Sequence, residues 1–91
     1  VVKMQEQLVL AQIVGGTTVI EGESTNVVMR ASKYMDKSQN VFFRVSCVRD
    51  SAPIDFEDKI QSVDTCKKLF EDLQVKYFGE VKQRLKMQEF I

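Results

Sequence analysis

Cys47 and Cys66 are the side chains best suited to nucleophilic or redox work, but the chain has no histidine to activate either of them. Its absence removes Ser-His-Asp and Cys-His arrangements and every histidine-ligated zinc site. The two cysteines stand nineteen positions apart and form neither a C-x-x-C pair nor a zinc framework. Acid–base work would need converging carboxylates. Glu57-Asp58 and Glu71-Asp72 are adjacent pairs, and neighbours on a helix point about 100° apart, so neither pair meets at one site. Solvation and helical ion pairing, such as Glu71 with Lys76, is their expected role. Gly15-Gly16 followed by Ser24-Thr25 has no lysine at phosphate-loop spacing, and no G-x-G-x-x-G occurs. The residues therefore predict no catalytic centre, no cofactor and no metal.

Composition narrows the partners. Ninety-one residues make a single domain, 1–91, with a thin core. Thirteen basic and thirteen acidic side chains give zero net charge. That argues against nucleic acid, whose binding draws on a cationic field, and against an anionic membrane surface. No run of about 18 apolar residues exists to cross a bilayer. The N-terminus lacks the blocks of a signal peptide and begins with Val rather than Met, which reads as a piece of a larger protein or a processed product. The cysteines fall on faces expected to be buried. They read as reduced core thiols of a cytoplasmic or nuclear protein, with a strand-to-helix disulfide as the alternative.

Several elements must position these residues. Lys3 to Val14 carries both helical spacing (Met4, Leu8, Ala11) and a nearly all-apolar stretch, and reads as a helical start running into an extended segment. Gly15-Gly16 and Glu21 to Asn26 read as punctuation, with Thr17 to Ile20 a short strand between them. Val27 to Met35 is a second strand. Asp36 to Asn40 is a turn of hairpin length, and Val41 to Val48 is the clearest strand, with Val41, Phe43, Val45 and Cys47 on one face. Asp50 to Pro53 reads as a loop. Ile54, Phe56 and Ile60 then fit either a fourth, edge strand or the first turn of a helix. From Ser62, a suitable N-cap, Val63, Cys66, Phe70, Leu73 and Tyr77 step by three and four. If that helix ran on to Phe90 it would be about 42 Å long. Gly79 is the one place where it would break. The expected fold is α+β, an antiparallel sheet of three to four strands packed against a long C-terminal amphipathic helix.

Two short patterns add resemblances. Gln12-Ile13-Val14-Gly15-Gly16 resembles the Q-x-V-x-G hairpin of the cystatins, which plugs a papain-like protease cleft by shape. The resemblance implies an inhibitor loop at Gln12, Val14 and Gly16. The chain has no Trp for the family's second loop, and only about ten residues precede the motif where cystatins place their main helix. The order of a helical entry, a meander and a closing amphipathic helix (Leu69-Phe70, Leu73, Tyr77-Phe78) resembles the RWD-like domains of kinetochore and checkpoint proteins, which cap coiled coils and dimerise or dock partners. It is also similar to the pleckstrin-homology and Ran-binding families, although with too few strands for a complete barrel.

Apolar residues in excess of one thin core lead to the functional expectation. Tyr34, Phe42, Val48, Phe78, Leu85 and Phe90 form the candidate partner interface of a non-catalytic protein–protein interaction or dimerisation module, with a protein partner or a second copy as ligand. The competing arrangement has the N-terminal segment covering that face. A small α+β RNA-binding module, using Lys67, Lys68, Lys76, Lys82, Arg84 and Lys86, is the remaining alternative.

Overall fold

Three tight turns decide the architecture. Glu21 and Gly22 both have positive φ, 53° and 81°, the backbone of a two-residue hairpin turn whose twist matches its strands. Asp50 and Ser51 repeat it at 50° and 67°. Between them, the Asp36 carboxylate accepts from the backbone N–H groups of Ser38 and Asn40, each at 2.9 Å, and closes the third turn. Hairpins of this kind can only produce an antiparallel meander. In the computed structural model, which describes residues 6–91, the strands β1 (Glu6–Ile20), β2 (Glu23–Asp36), β3 (Val41–Arg49) and β4 (Ala52–Ile60) lie side by side in chain order.

The sheet differs from the sequence expectation at both ends. Residues 6–14 are strand, not helix; the rest of the expected helical start, Lys3 to Gln5, lies outside the described residues. Gly15 and Gly16 are no turn. They sit inside β1, paired with Val28 and Val27. Phe78 explains Gly16: a Cβ there would lie 2.8 Å from its ring, so the glycine makes room for the end of the helix. The first turn shrinks to Glu21-Gly22, and the second loop to Asp50-Ser51, with Pro53 already in β4.

One face of the sheet carries the core. Val14, Val27, Met29, Ala31, Phe43, Val45, Cys47 and Ile60 pack against Cys66 and Phe70 of helix α1, Val63–Phe78. Ser62 caps α1, its Oγ accepting from Thr65 N at 3.4 Å. Val41, expected on the same face, is exposed at the sheet's end. Burying one side chain such as Phe70 contributes about 1.5–3 kcal/mol.

Helix α1 stops where the sequence left the question open. Gly79 adopts φ 80°, and its N–H bonds Val75 O, a left-handed cap that glycine takes without a Cβ clash. The helix is 16 residues, about 24 Å, rather than a projecting rod. The chain then turns back across the inner face. Gln74 is fully buried on α1 and holds the returning tail. Its Oε1 accepts from Lys82 N at 2.8 Å and Gln83 N at 2.9 Å, and its Nε2 donates to Gln83 O at 2.7 Å. Gln12 on β1 makes a second clamp, donating to Arg84 O at 2.7 Å and accepting from Lys86 N at 2.9 Å. These ties deliver Leu85 and Phe90, the latter from a short helix α2 (Met87–Phe90), into the core, with the Phe90 ring 6.3 Å from that of Phe43.

Candidate interaction surface

The antiparallel register places opposed residues on the same face, so the outer face can be read directly. It carries Ala11, Ile13, Gly15 and Thr17 from β1, Val28, Arg30, Ser32 and Tyr34 from β2, Phe42, Arg44, Ser46 and Val48 from β3, and Phe56 from β4. Among the described residues no helix lies on this side. The N-terminal segment, from residue 6, joins the sheet edge instead of covering the face. The molecule is 45 × 33 × 15 Å, thin enough for only two layers.

The outer face divides into two halves. At the end near the β2–β3 turn, Tyr34 and Phe42 stack with ring centroids 5.4 Å apart. Lys59 Nζ lies 3.9 Å above Phe42 and pairs with Glu6. Arg44 stacks 4.8 Å over Tyr34 and bonds Asp58 Oδ2 at 3.0 Å. That contact holds the Asp58 carboxyl below the usual carboxylate range. Apart from the Arg44 Nε, this half is satisfied internally, and Phe42 is only 6% exposed. The other half is open: Ile13 is 54%, Val28 44% and Phe56 53% exposed. The Nε atoms of Arg30 and Arg44 are buried at the centre of the face without a partner among the described residues. Buried donors in that state ordinarily find one.

The residues expected to form the interface therefore separate. Leu85 and Phe90 are core, at 4% and 1% exposure, because the chain reverses at Gly79 instead of continuing as helix. Phe78 packs against Gly16 at the helix end. Tyr34 and Phe42 share the closed half, and Val48 is half-buried on the open half. Ile13, Val28 and Phe56 join it; only Phe56 is flanked on both sides by polar residues, Asp55 and Glu57, whereas Ile13 and Val28 sit in apolar runs.

Gln12, Val14 and Gly16 occupy mid-strand positions facing the helix and tail, with Val14 5% exposed. There is no hairpin at this motif to enter a cleft. Four of the six basic residues of the RNA reading have acidic neighbours. Lys76 pairs with Asp55 at 2.7 Å and Arg84 with Glu71 at 2.6 Å, correcting the expected Glu71–Lys76 pair. Lys67 and Lys68 share a 310 Å³ hollow with Asp64, Glu71 and Asp72. Glu57 and Asp58 lie on a strand and therefore point to different sides, as Asp58 alone reaches Arg44.

No protein-family model, curated protein or solved structure matches this chain. Both cysteines are free and buried, and burial pushes each thiol up to about 11, which keeps them protonated and poorly nucleophilic at neutral pH. Among the described residues, no three His, Cys, Asp or Glu side chains are placed to hold a metal ion.

The edges of the sheet complete the surface. β4 is irregular, with register shifts between Phe43 and Val45 and between Cys47 and Val48 of its neighbour, a positive φ of 55° at Lys59, and Pro53 near its start. β1 is the opposite edge. Among the described residues no strand pairs with its outer side. From Gln7 to Ile20 it holds fourteen residues without a charge or a proline.

Proposed function

We propose that this domain is a non-catalytic protein-interaction module whose working surface is the open half of the sheet's outer face together with the β1 edge. The observation that carries the reading is the exposure of Ile13, Val28 and Phe56 on a face that no other element covers among the described residues. An antiparallel sheet tolerates one wet face, but branched and aromatic side chains on it are poorly matched to water. Buried, protonated thiols agree with a reducing compartment.

The test separates a functional face from a structural one. Val28→Glu with Phe56→Glu should leave the thermal melt within about 1 kcal/mol of wild type, as expected for exposed positions. The same variant should lose association made through the outer face, measured by sedimentation. A loss of several kcal/mol would show the face to be structural and overturn the reading.

A further inference from the structure

We infer that the occupant of the β1 edge is a second copy of this chain, paired antiparallel along β1 so that two four-stranded sheets become one continuous eight-stranded sheet. The inference deepens the interaction reading by naming the partner and rests on it.

The hairpin geometry identifies the free backbone groups. A two-residue turn closes on a hydrogen-bonded pair, here Ile20 with Glu23. Bonded positions recur at every second residue. Ile20, Thr18, Gly16, Val14 and Gln12 therefore turn their N–H and C=O groups towards β2. Val19, Thr17, Gly15, Ile13 and Ala11 turn theirs outward, to an edge that no strand pairs among the described residues.

Charge selects the partner and its direction. A charged or proline-containing edge would resist self-pairing, and β1 has neither between Gln7 and Ile20. Its one charged residue, Glu6, is at one end. Parallel pairing would bring the two Glu6 side chains together. Antiparallel pairing across a two-fold axis sends them to opposite ends, about 45 Å apart at roughly 3.3 Å per residue.

The register follows from the middle of the strand. Ile13 is the central residue of β1 and is one of the outward-bonding positions, so a two-fold axis at Ile13 pairs it with itself. Ala11 then meets Gly15 of the other copy, and Gly15 meets Ala11. The three pairs supply about six backbone hydrogen bonds. Opposed residues share a face, so the two Ile13 side chains, each 54% exposed alone, pack together on the outer side. The open halves of both faces become one surface.

The experiment compares wild type with Ile13→Lys and Phe56→Lys by sedimentation velocity and thermal melting, and with Ile13→Cys and Val19→Cys under mild oxidation. Edge pairing predicts a dimeric wild type and a dimeric Phe56→Lys. It predicts an Ile13→Lys monomer with an unchanged melt at dilution, because two lysines would meet at the axis. Ile13→Cys should form a covalent dimer, since opposed Cα atoms lie about 5.5 Å apart. Val19→Cys, roughly 40 Å from its mate in this register, should not. A monomeric wild type overturns edge pairing, while the melt of Val28→Glu with Phe56→Glu still decides whether the outer face is structural. Dimers that survive Ile13→Lys but dissociate with Phe56→Lys overturn it in favour of face-to-face packing. If Ile13→Lys unfolds, the two cysteine variants decide: covalent dimers at Val19 rather than Ile13 sink the register.

Discussion

β4 and β1 are both edge strands, and they end the sheet in different ways. β4 carries Asp55, Glu57, Asp58 and Lys59, starts near Pro53, and breaks its register with β3 twice. β1 is longer, has one irregularity, between Leu8 and Leu10, and shows fourteen consecutive uncharged residues from Gln7 to Ile20. Charge, proline and bulges are the devices by which sheets discourage another strand from adding. All are present on one edge, and between Gln7 and Ile20 the other has only the bulge. The asymmetry teaches that the sheet is closed on the β4 side and open on the β1 side, a distinction invisible in net charge or overall composition.

The two edges also differ in what holds them beyond the Glu6–Lys59 pair that joins one end of each. β4 is tied by side-chain ion pairs, Lys76–Asp55 and Arg44–Asp58. β1 is tied through backbone groups of the tail, bound by Gln12 and, one layer away, by Gln74. Gln74→Leu should break the comparison most strongly. It leaves the N–H groups of Lys82 and Gln83 and the carbonyl of Gln83 without their protein partner. With each such group costing about 1–3 kcal/mol when it stays buried, a net loss of about 3 kcal/mol is expected in a urea melt. Amide exchange should accelerate along β1 and the tail before β4. Equal acceleration in both edges would mean that the tail does not support β1 selectively.

Much of this arrangement was legible in the residues. The β3 face of Phe43, Val45 and Cys47, the Asp36–Asn40 turn and the α1 stripe all follow from simple periods of two and 3.6. Gly79 was identifiable as the only break in a long helical pattern. What the sequence hid depended on contacts between distant segments. Gly15-Gly16 resembles a turn unless Phe78, more than sixty residues later, is known to lie against it. Leu85 and Phe90 continue a helical period by number, yet reach the core only because two glutamines redirect the backbone. Gln74 itself left one signal: a polar residue four positions after Phe70, which is four after Cys66, on the buried stripe.

The turns entering the two edges offer a second contrast. Each requires two residues of positive φ. The β1 turn fills one of them with Gly22, whereas the β4 turn uses Asp50 and Ser51. A left-handed conformation costs a non-glycine residue roughly 1–2 kcal/mol, less for Asp. Ser51→Gly should therefore stabilise the protein by about 1 kcal/mol, read as a higher melting temperature. Local opening should also become rarer in the β3–β4 hairpin and stay unchanged in the β1–β2 hairpin. An unchanged or lower melting temperature would show that the Ser51 backbone is not under strain.

Acid should separate the edges by the smallest margin. Hydrogen bonds from Lys76 hold the Asp55 carboxyl low, and those from Arg44 do the same for Asp58. A carboxylate whose folded pKa is depressed contributes stability above its unfolded value, near 4. That contribution fades as pH falls through the lower folded value. Both groups tie down β4. Between Gln7 and Ile20, β1 has no titratable side chain at all. Protection factors, corrected for intrinsic exchange, should therefore fall for β4 amides below about pH 4 while those of β1 hold. The pairs are partly solvated, so the change should be well under that of Gln74→Leu. A parallel decline in both strands would indicate global unfolding, and β4 would then owe its order to the β3 ladder rather than to its ion pairs.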